Sequence, residues 1–182
     1  MPTPSELVDA VQFLDRLAAL PRTGWLLRGV TDPESIAEHS LGVAFVASML
    51  VDDLRARGTA VDGEKVLRMA LVHDAAEAFT GDIPMPAKTP ELKAALGRAE
   101  EALLAGVLTA DQLALWRECE EGATIEARIV KAADKMQMVI KALTYEQQGR
   151  GSLDEFFRGP ANKKHMDLDL AREVYEAIEK RR

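Results

Sequence analysis

His73 and Asp74 are adjacent in the run Ala70-Leu71-Val72-His73-Asp74-Ala75-Ala76-Glu77, an imidazole beside a carboxylate in an otherwise apolar, helix-forming stretch. Such a stretch packs against a core, where unpartnered polar groups cost a few kcal/mol each, and a divalent metal ion is the simplest partner for both. Two further residues fall at breaks in apolar helical patterns: His39, in Ser35-Ile36-Ala37-Glu38-His39-Ser40, and Asp134, in Ile129-Val130-Lys131-Ala132-Ala133-Asp134-Lys135-Met136. His39, His73, Asp74 and Asp134 form a borderline-to-hard ligand set. It suits a first-row divalent ion that keeps coordination positions for water or substrate. The chain has only 3 histidines, and two of them belong to this set.

Helices must position these side chains. Thr3-Pro4-Ser5-Glu6 offers an N-cap, a first-turn proline and a capping-box glutamate, and Asp32-Pro33-Glu34-Ser35, Thr89-Pro90-Glu91 and Thr109-Ala110-Asp111-Gln112 repeat parts of that pattern. The sequence predicts helices over 4–19, 33–57, 63–79, 90–107, 110–120, 124–147, 152–158 and 166–180. No segment alternates β-branched residues between hairpin turns, no fixed-period repeat occurs, and no Gly-, Ser- or Pro-rich linker divides the chain. The expectation is an all-α single domain spanning 1–182. His39 then lies early in the second helix, His73 and Asp74 late in the third, and Asp134 in the middle of the sixth, so an ion would cross-link three helices. Glu77, one turn beyond His73, is expected on the same face, where a proton acceptor beside a bound water is useful. Two loops are singled out, Pro21–Gly29 and Thr80–Lys88.

Composition sets limits. A chain of 182 residues that is 47% hydrophobic can build a sizeable core. Its net charge of −7 argues against sequence-independent nucleic-acid binding, so no nucleic acid partner is expected. A small anionic substrate would need a local positive site. The single cysteine, Cys119, excludes an intrachain disulfide and suits a reducing cytosol. The N-terminus carries acidic residues where a signal peptide has basic ones, which points to a cytoplasmic protein. Leu41 to Val51, the longest apolar stretch, is about half the length of a membrane span and reads as a core helix, so no membrane partner is expected.

The spacing of His39, His73-Asp74 and Asp134 resembles the H…HD…D pattern of the HD-domain metal-dependent phosphohydrolases. Arg28-Gly29-Val30, Glu38-His39-Ser40, the run from His73-Asp74 through Ala76-Glu77 to Thr80-Gly81-Asp82, and Val130-Lys131 before Asp134 look like the 5'-deoxynucleotidase branch. The similarity covers roughly residues 13–145. It implies a single HD-domain helical bundle with one divalent ion between helices, held by His39, His73, Asp74 and Asp134. Mn²⁺, Co²⁺ or Mg²⁺ come first, with Zn²⁺, Ni²⁺ or Fe²⁺ as alternatives. The implied activity is hydrolysis of a (deoxy)nucleoside 5'-monophosphate to nucleoside and phosphate. Glu77 would stand beside the attacking water and Asp82 near the scissile group. Arg22, Trp25 and Lys88 are the expected substrate contacts. In the first loop, Arg22 and Trp25 are three apart, where bacterial members carry an adjacent Arg-Trp pair.

Blander roles stand beside these. Glu77 could be a solvated helix-end carboxylate, Asp82 a turn residue after a helix C-cap, Trp25 a packing residue, and Arg22 and Lys88 solvated charges. Glu38 serves either as a helix-surface carboxylate or as support for His39. His165 is expected at the surface, and Met136, Met138 and Val139 in the core. The alternatives in function are an HD phosphohydrolase acting on another nucleotide or phosphorylated biosynthetic intermediate, a di-iron oxygenase, for which the histidines are too few, and a non-catalytic module that keeps its metal for structure. A homodimer is left open.

Overall fold

The computed structural model describes residues 2–159 and 168–182. Thr3 and Glu6 close a reciprocal capping box, and α1 (Pro4–Leu14) starts there. The expected single helix over 4–19 is interrupted at Asp15, after which α2 (Arg16–Ala19) follows. The first expected loop contains a short helix, α3 (Thr23–Leu26). The second long helix, α4 (Ile36–Ala56), begins three residues later than the sequence predicts. Two caps compete at this point, and Ser35 with Glu38 makes both bonds of a capping box. Pro33 and Glu34 stay outside the helix. Asp32 turns the chain at φ 53°, and a lone antiparallel bridge pairs Pro21 with Ser35. Among the described residues there is no strand.

The third predicted helix, 63–79, is two. α5 (Gly63–Val72) stops before the histidine, and α6 (Glu77–Thr80) resumes after four turn residues. His73 and Asp74 therefore lie in a tight turn and not in the helix, with i to i−3 bonds from Ala75 N–H to Val72 O and from Glu77 N–H to Asp74 O. The bonding switches here from the i−4 to the tighter i−3 pattern, which rotates the residues that follow relative to the axis of α5. Glu77 consequently opens a new helix and does not share a helical face with His73.

A 3₁₀ turn (Met85–Ala87) lies in the second expected loop, followed by α7 (Pro90–Leu104), α8 (Ala110–Glu121), α9 (Ile125–Gln147), α10 (Asp154–Arg158) and α11 (Asp169–Glu179). Thr89, Thr109 and Thr124 cap their helices with side-chain oxygens. Gly122 ends α8 in the left-handed region at φ 67°, a conformation in which an L side chain is strained.

Helices α4 and α9 pack along each other at the centre, α5 lies against both, and α8 covers α5 and α9. Val43, Ala47, Leu50, Met69, Ala70, Ile129, Val130 and Ala133 are buried at this junction. Met136 and Val139 continue the core along α9. The Leu41–Val51 stretch is core on one side only, because Leu41, Phe45 and Met49, spaced four apart, are all exposed. No helix among the described residues is long and apolar enough to cross a membrane. Cys119 is buried, and desolvation pushes its thiol up to about 12, as expected of an inert packing residue.

Candidate metal centre and adjoining cavity

The first turn of α4, the turn after α5 and the middle of α9 meet at one buried point. Facing donor atoms of His39, His73 and Asp74 all lie within 4.8 Å of one another. His39 Nε2 is 3.6 Å from Asp74 Oδ2 and 3.3 Å from Asp134 Oδ1, and His73 Nε2 is 3.3 Å from Asp74 Oδ2. His39, His73 and Asp74 thus form the tight cluster, and Asp134, the fourth residue of the expected set, adjoins it through His39.

The outer nitrogen of each imidazole is already engaged. His39 Nδ1 is 2.6 Å from Gln137 Oε1 and His73 Nδ1 is 2.7 Å from the Ala70 carbonyl. Both partners are acceptors, so both Nδ1 atoms carry a proton and donate, and the two Nε2 atoms are the ones turned inward, available to a cation in the neutral imidazole. Those Nε2 atoms are buried without a hydrogen-bond partner among the described residues, as is Glu77 Oε2. Two imidazole nitrogens and two carboxylates turned toward one desolvated space call for positive charge between them, supplied by a metal ion or, without one, by a retained proton. The donor set therefore fits a divalent ion.

Electrostatics agree. Burial alone would lower the basicity of His73, but the Asp74 carboxylate outweighs it and holds a proton on His73 up to about 9, in effect a stand-in for a cation. Burial opposes ionisation of Asp74 too, yet His73, Arg22 and His39 keep its pKa well below the usual carboxylate range. Asp134 is held low in the same way by Lys135, His39 and Arg22 against its burial. Glu77 behaves oppositely. Burial first, then the Asp74 and Asp82 charges, push its carboxyl up to about 9 despite Arg22 and Lys88.

A cavity of about 380 Å³ opens beside this point. Its wall includes Asp74, Asp134, Glu77 and Asp82, the cations Arg22, Lys88 and Lys135, and the apolar side chains of Leu27, Ile83, Met138 and Phe156. Arg22 faces inward, with Nη1 3.3 Å from Asp74 Oδ2, 3.8 Å from Glu77 Oε2 and 4.0 Å from Asp82 Oδ1. Those carboxylates and Asp134 outweigh its burial and keep it charged. Asp82 accepts the Thr23 backbone N–H on Oδ2 at 2.7 Å, which fixes it across the two loops. Trp25 lines the same cavity yet is buried, its ring edge-on to Tyr145 and tilted against Phe156. Its packing role and its place in the wall coexist. Arg28 also lines the cavity and pairs with Glu155.

Glu38 is taken up by the Ser35 cap. His165 lies outside the described residues. Sequence reasoning missed Lys135, whose Nζ is 3.0 Å from Asp134 Oδ2, as well as Gln137 and Glu34. Gln137 stands three residues beyond Asp134, one helical turn along the same face, a spacing that could have pointed to it.

An all-helical fold that converges two imidazoles and two carboxylates on one buried point is the arrangement of the HD domain. The chain belongs to that family, whose profile, described as HD domain, matches residues 14–172. It is 35% identical to the protein named 5'-deoxynucleotidase HDDC2 of Xenopus laevis, over 93% of this chain and 86% of that one. The crystal structure of PH0347 protein from Pyrococcus horikoshii OT3 superposes with a TM-score of 0.85 at 38% identity, covering 96% of this chain and 99% of that one. The HD phosphohydrolase DatZ of cyanophage S-2L, bound to dA and one catalytic Zn²⁺ ion, matches with a TM-score of 0.59 at 26% identity, over 99% of this chain and 94% of that one.

Proposed function

We propose that this protein is a metal-dependent phosphohydrolase that cleaves the phosphate monoester of (deoxy)nucleoside 5'-monophosphates to nucleoside and phosphate. The observation that carries it is the pair of buried, unpartnered Nε2 atoms facing Asp74 and Asp134, at the edge of a cavity whose wall carries Arg22, Arg28, Lys88 and Lys135 beside apolar side chains. The relatives named 5'-deoxynucleotidase and the dA-bound phage enzyme support the nucleotide class.

His39, His73, Asp74 and Asp134 would hold one divalent ion, which supplies Lewis acidity to a phosphoryl oxygen and lowers the pKa of water. Mn²⁺, Co²⁺ or Mg²⁺ are the first choices, with Zn²⁺ as in the phage enzyme. Glu77, next to this group and with Oε2 uncommitted, would accept the proton of the water that attacks phosphorus once the charge of a bound ion holds its carboxyl ionised. The new O–P bond forms as the bond from phosphorus to the 5'-oxygen breaks, and a proton passes to the departing oxygen by way of Asp82, which Thr23 N–H holds in place. Arg22 and Lys88 offset the phosphate charge. The apolar wall with Trp25 receives the nucleoside. We place the enzyme in the cytoplasm, in keeping with its one buried thiol, and assign it no nucleic acid partner, in keeping with its net charge of −7.

The test is phosphate release from dAMP, dUMP, AMP, 3'-dAMP and dATP with added Mn²⁺, Co²⁺ or Mg²⁺. The 5'-monophosphates should be hydrolysed, and 3'-dAMP and dATP should be poor substrates, because the site has few cations to neutralise further phosphates. Triphosphate turnover faster than that of every 5'-monophosphate would replace the nucleotidase assignment with another HD phosphohydrolase activity.

A further inference from the structure

Glu34 is buried, and nothing in the proposed hydrolysis uses it. Its Oε1 accepts the Trp25 indole N–H at 3.1 Å, and its Oε2 accepts from Gln137 Nε2 at 3.0 Å, with Lys141 Nζ 3.4 Å from the same oxygen. Its backbone is committed as well. The N–H donates to the Tyr145 hydroxyl oxygen at 2.7 Å, and the carbonyl accepts the Arg22 N–H at 3.0 Å. The residue thus ties the loop carrying Arg22 and Trp25 to one face of α9.

A carboxylate only accepts, so Gln137 can meet it only through its NH₂ group. With that group turned to Glu34, the Gln137 carbonyl faces His39, 2.6 Å from Nδ1. An acceptor at Nδ1 requires the imidazole proton there, which leaves Nε2 unprotonated toward Asp74 and Asp134. Gly42 on α4 makes room for this arrangement, since a Cβ at that position would come within 2.8 Å of Gln137 Cγ and 3.1 Å of Nε2. We propose that Glu34 is a positioning residue that fixes the amide orientation of Gln137 and thereby dictates which nitrogen His39 presents to the metal. This rests on the assignment of His39 as a ligand.

The consequence is specific to orientation. In Glu34→Gln, the introduced amide can turn its own NH₂ toward Gln137, which frees Gln137 to flip and point its NH₂ at His39 Nδ1. The imidazole then keeps its proton on Nε2, where it blocks coordination. Exchanging the two groups in the double variant Glu34→Gln/Gln137→Glu restores a donor facing an acceptor between the exchanged groups, with an acceptor again at Nδ1; only Lys141 Nζ then meets an NH₂ in place of a carboxylate oxygen.

Mn²⁺ titration of the metal-stripped full chain by calorimetry tests this, with helical circular dichroism as the folding control. Glu34→Gln should weaken Mn²⁺ binding by about 10- to 100-fold, the usual range for loss of a group that orients a ligand. The double variant should recover most of that loss, which a merely structural role for Glu34 would not produce. Gln137→Met, similar in shape but lacking both bonds, should weaken binding in the same range and keeps the test decisive if Glu34→Gln does not fold. A second readout is the long-range ¹H–¹⁵N imidazole spectrum of the metal-free chain at alkaline pH, with the His39 proton on Nδ1 in the wild type and on Nε2 in Glu34→Gln. Wild-type Mn²⁺ affinity in a folded Glu34→Gln or Gln137→Met, or a double variant no better than the single, overturns the proposal. A wild-type chain that binds no Mn²⁺ at all overturns the metal assignment itself.

Discussion

Glu77 offers the sharpest quantitative test, because its carboxyl is pushed up to about 9 from an ordinary 4.5 in the metal-free protein. The perturbation is Glu77→Gln, which keeps the shape, removes the titration and breaks no hydrogen bond at Oε2, which has none among the described residues. A carboxyl whose folded pKa is raised binds its proton more tightly in the folded chain. Its contribution to stability is full below about 4.5 and is lost progressively as pH rises through about 9. Between pH 5 and pH 8 the loss is bounded by three units at 1.36 kcal/mol each, or ~4 kcal/mol. Glu77 is only 9% exposed, so solvent screening removes little of this. Charge shared with Asp74 and Arg22 brings the expected figure to about 2 kcal/mol. His73 titrates with the same sign, its proton held up to about 9, but it does so in both proteins. The difference between the two proteins therefore isolates Glu77.

The assay is urea unfolding of wild type and Glu77→Gln in chelator at pH 5, 6, 7 and 8, followed by helical circular dichroism. The variant should gain about 2 kcal/mol on the wild type across that window. Saturating Mn²⁺ should shrink the gap, since a bound cation favours the ionised carboxylate. The same variant should keep the ion yet lose on the order of 10²-fold or more in turnover, the scale of a positioned acid or base. Parallel stability profiles in chelator would refute the desolvated, charge-crowded environment inferred for Glu77. Wild-type turnover with metal bound would refute its role as proton acceptor.

Asp74→Ala and His39→Ala should each strip the divalent ion from purified protein, measured by elemental analysis on samples whose helical signal is intact, and full retention in both would remove these residues from the ligand set. Arg22→Ala should raise KM for dAMP, lower kcat, or both, because a charge-assisted contact strengthens as charge moves in the transition state. The metal-free variant should also lose about 3 kcal/mol of stability, as the buried carboxylates around Arg22 lose their cation, and Mn²⁺ should restore part of it. Unchanged kinetics and unchanged metal-free stability together would leave Arg22 without either role.

The all-helical class and many of the helix starts follow from the sequence by itself, because a cap is a local device. Thr3 with Glu6, Thr109 with Gln112 and Thr89 with Leu92 each satisfy orphan backbone donors within three residues, so the pattern is complete in the chain. The four-residue donor set was legible for a related reason. Histidine and aspartate inside apolar helical runs conflict with burial unless something binds them, and that conflict shows in the order of residues alone. Tertiary structure decided everything that depends on direction and distance. It ended α5 at Val72 and moved Glu77 from a shared face to a new helix. It also brought Gln137 to His39 across 98 residues of chain and to Glu34 across 103. No local pattern encodes such contacts. An amide or a carboxylate has the same propensity whether it faces water or a buried imidazole, and only the packing of α4 against α9 excludes the water and makes the hydrogen bond between side chains the sole means of satisfying both groups.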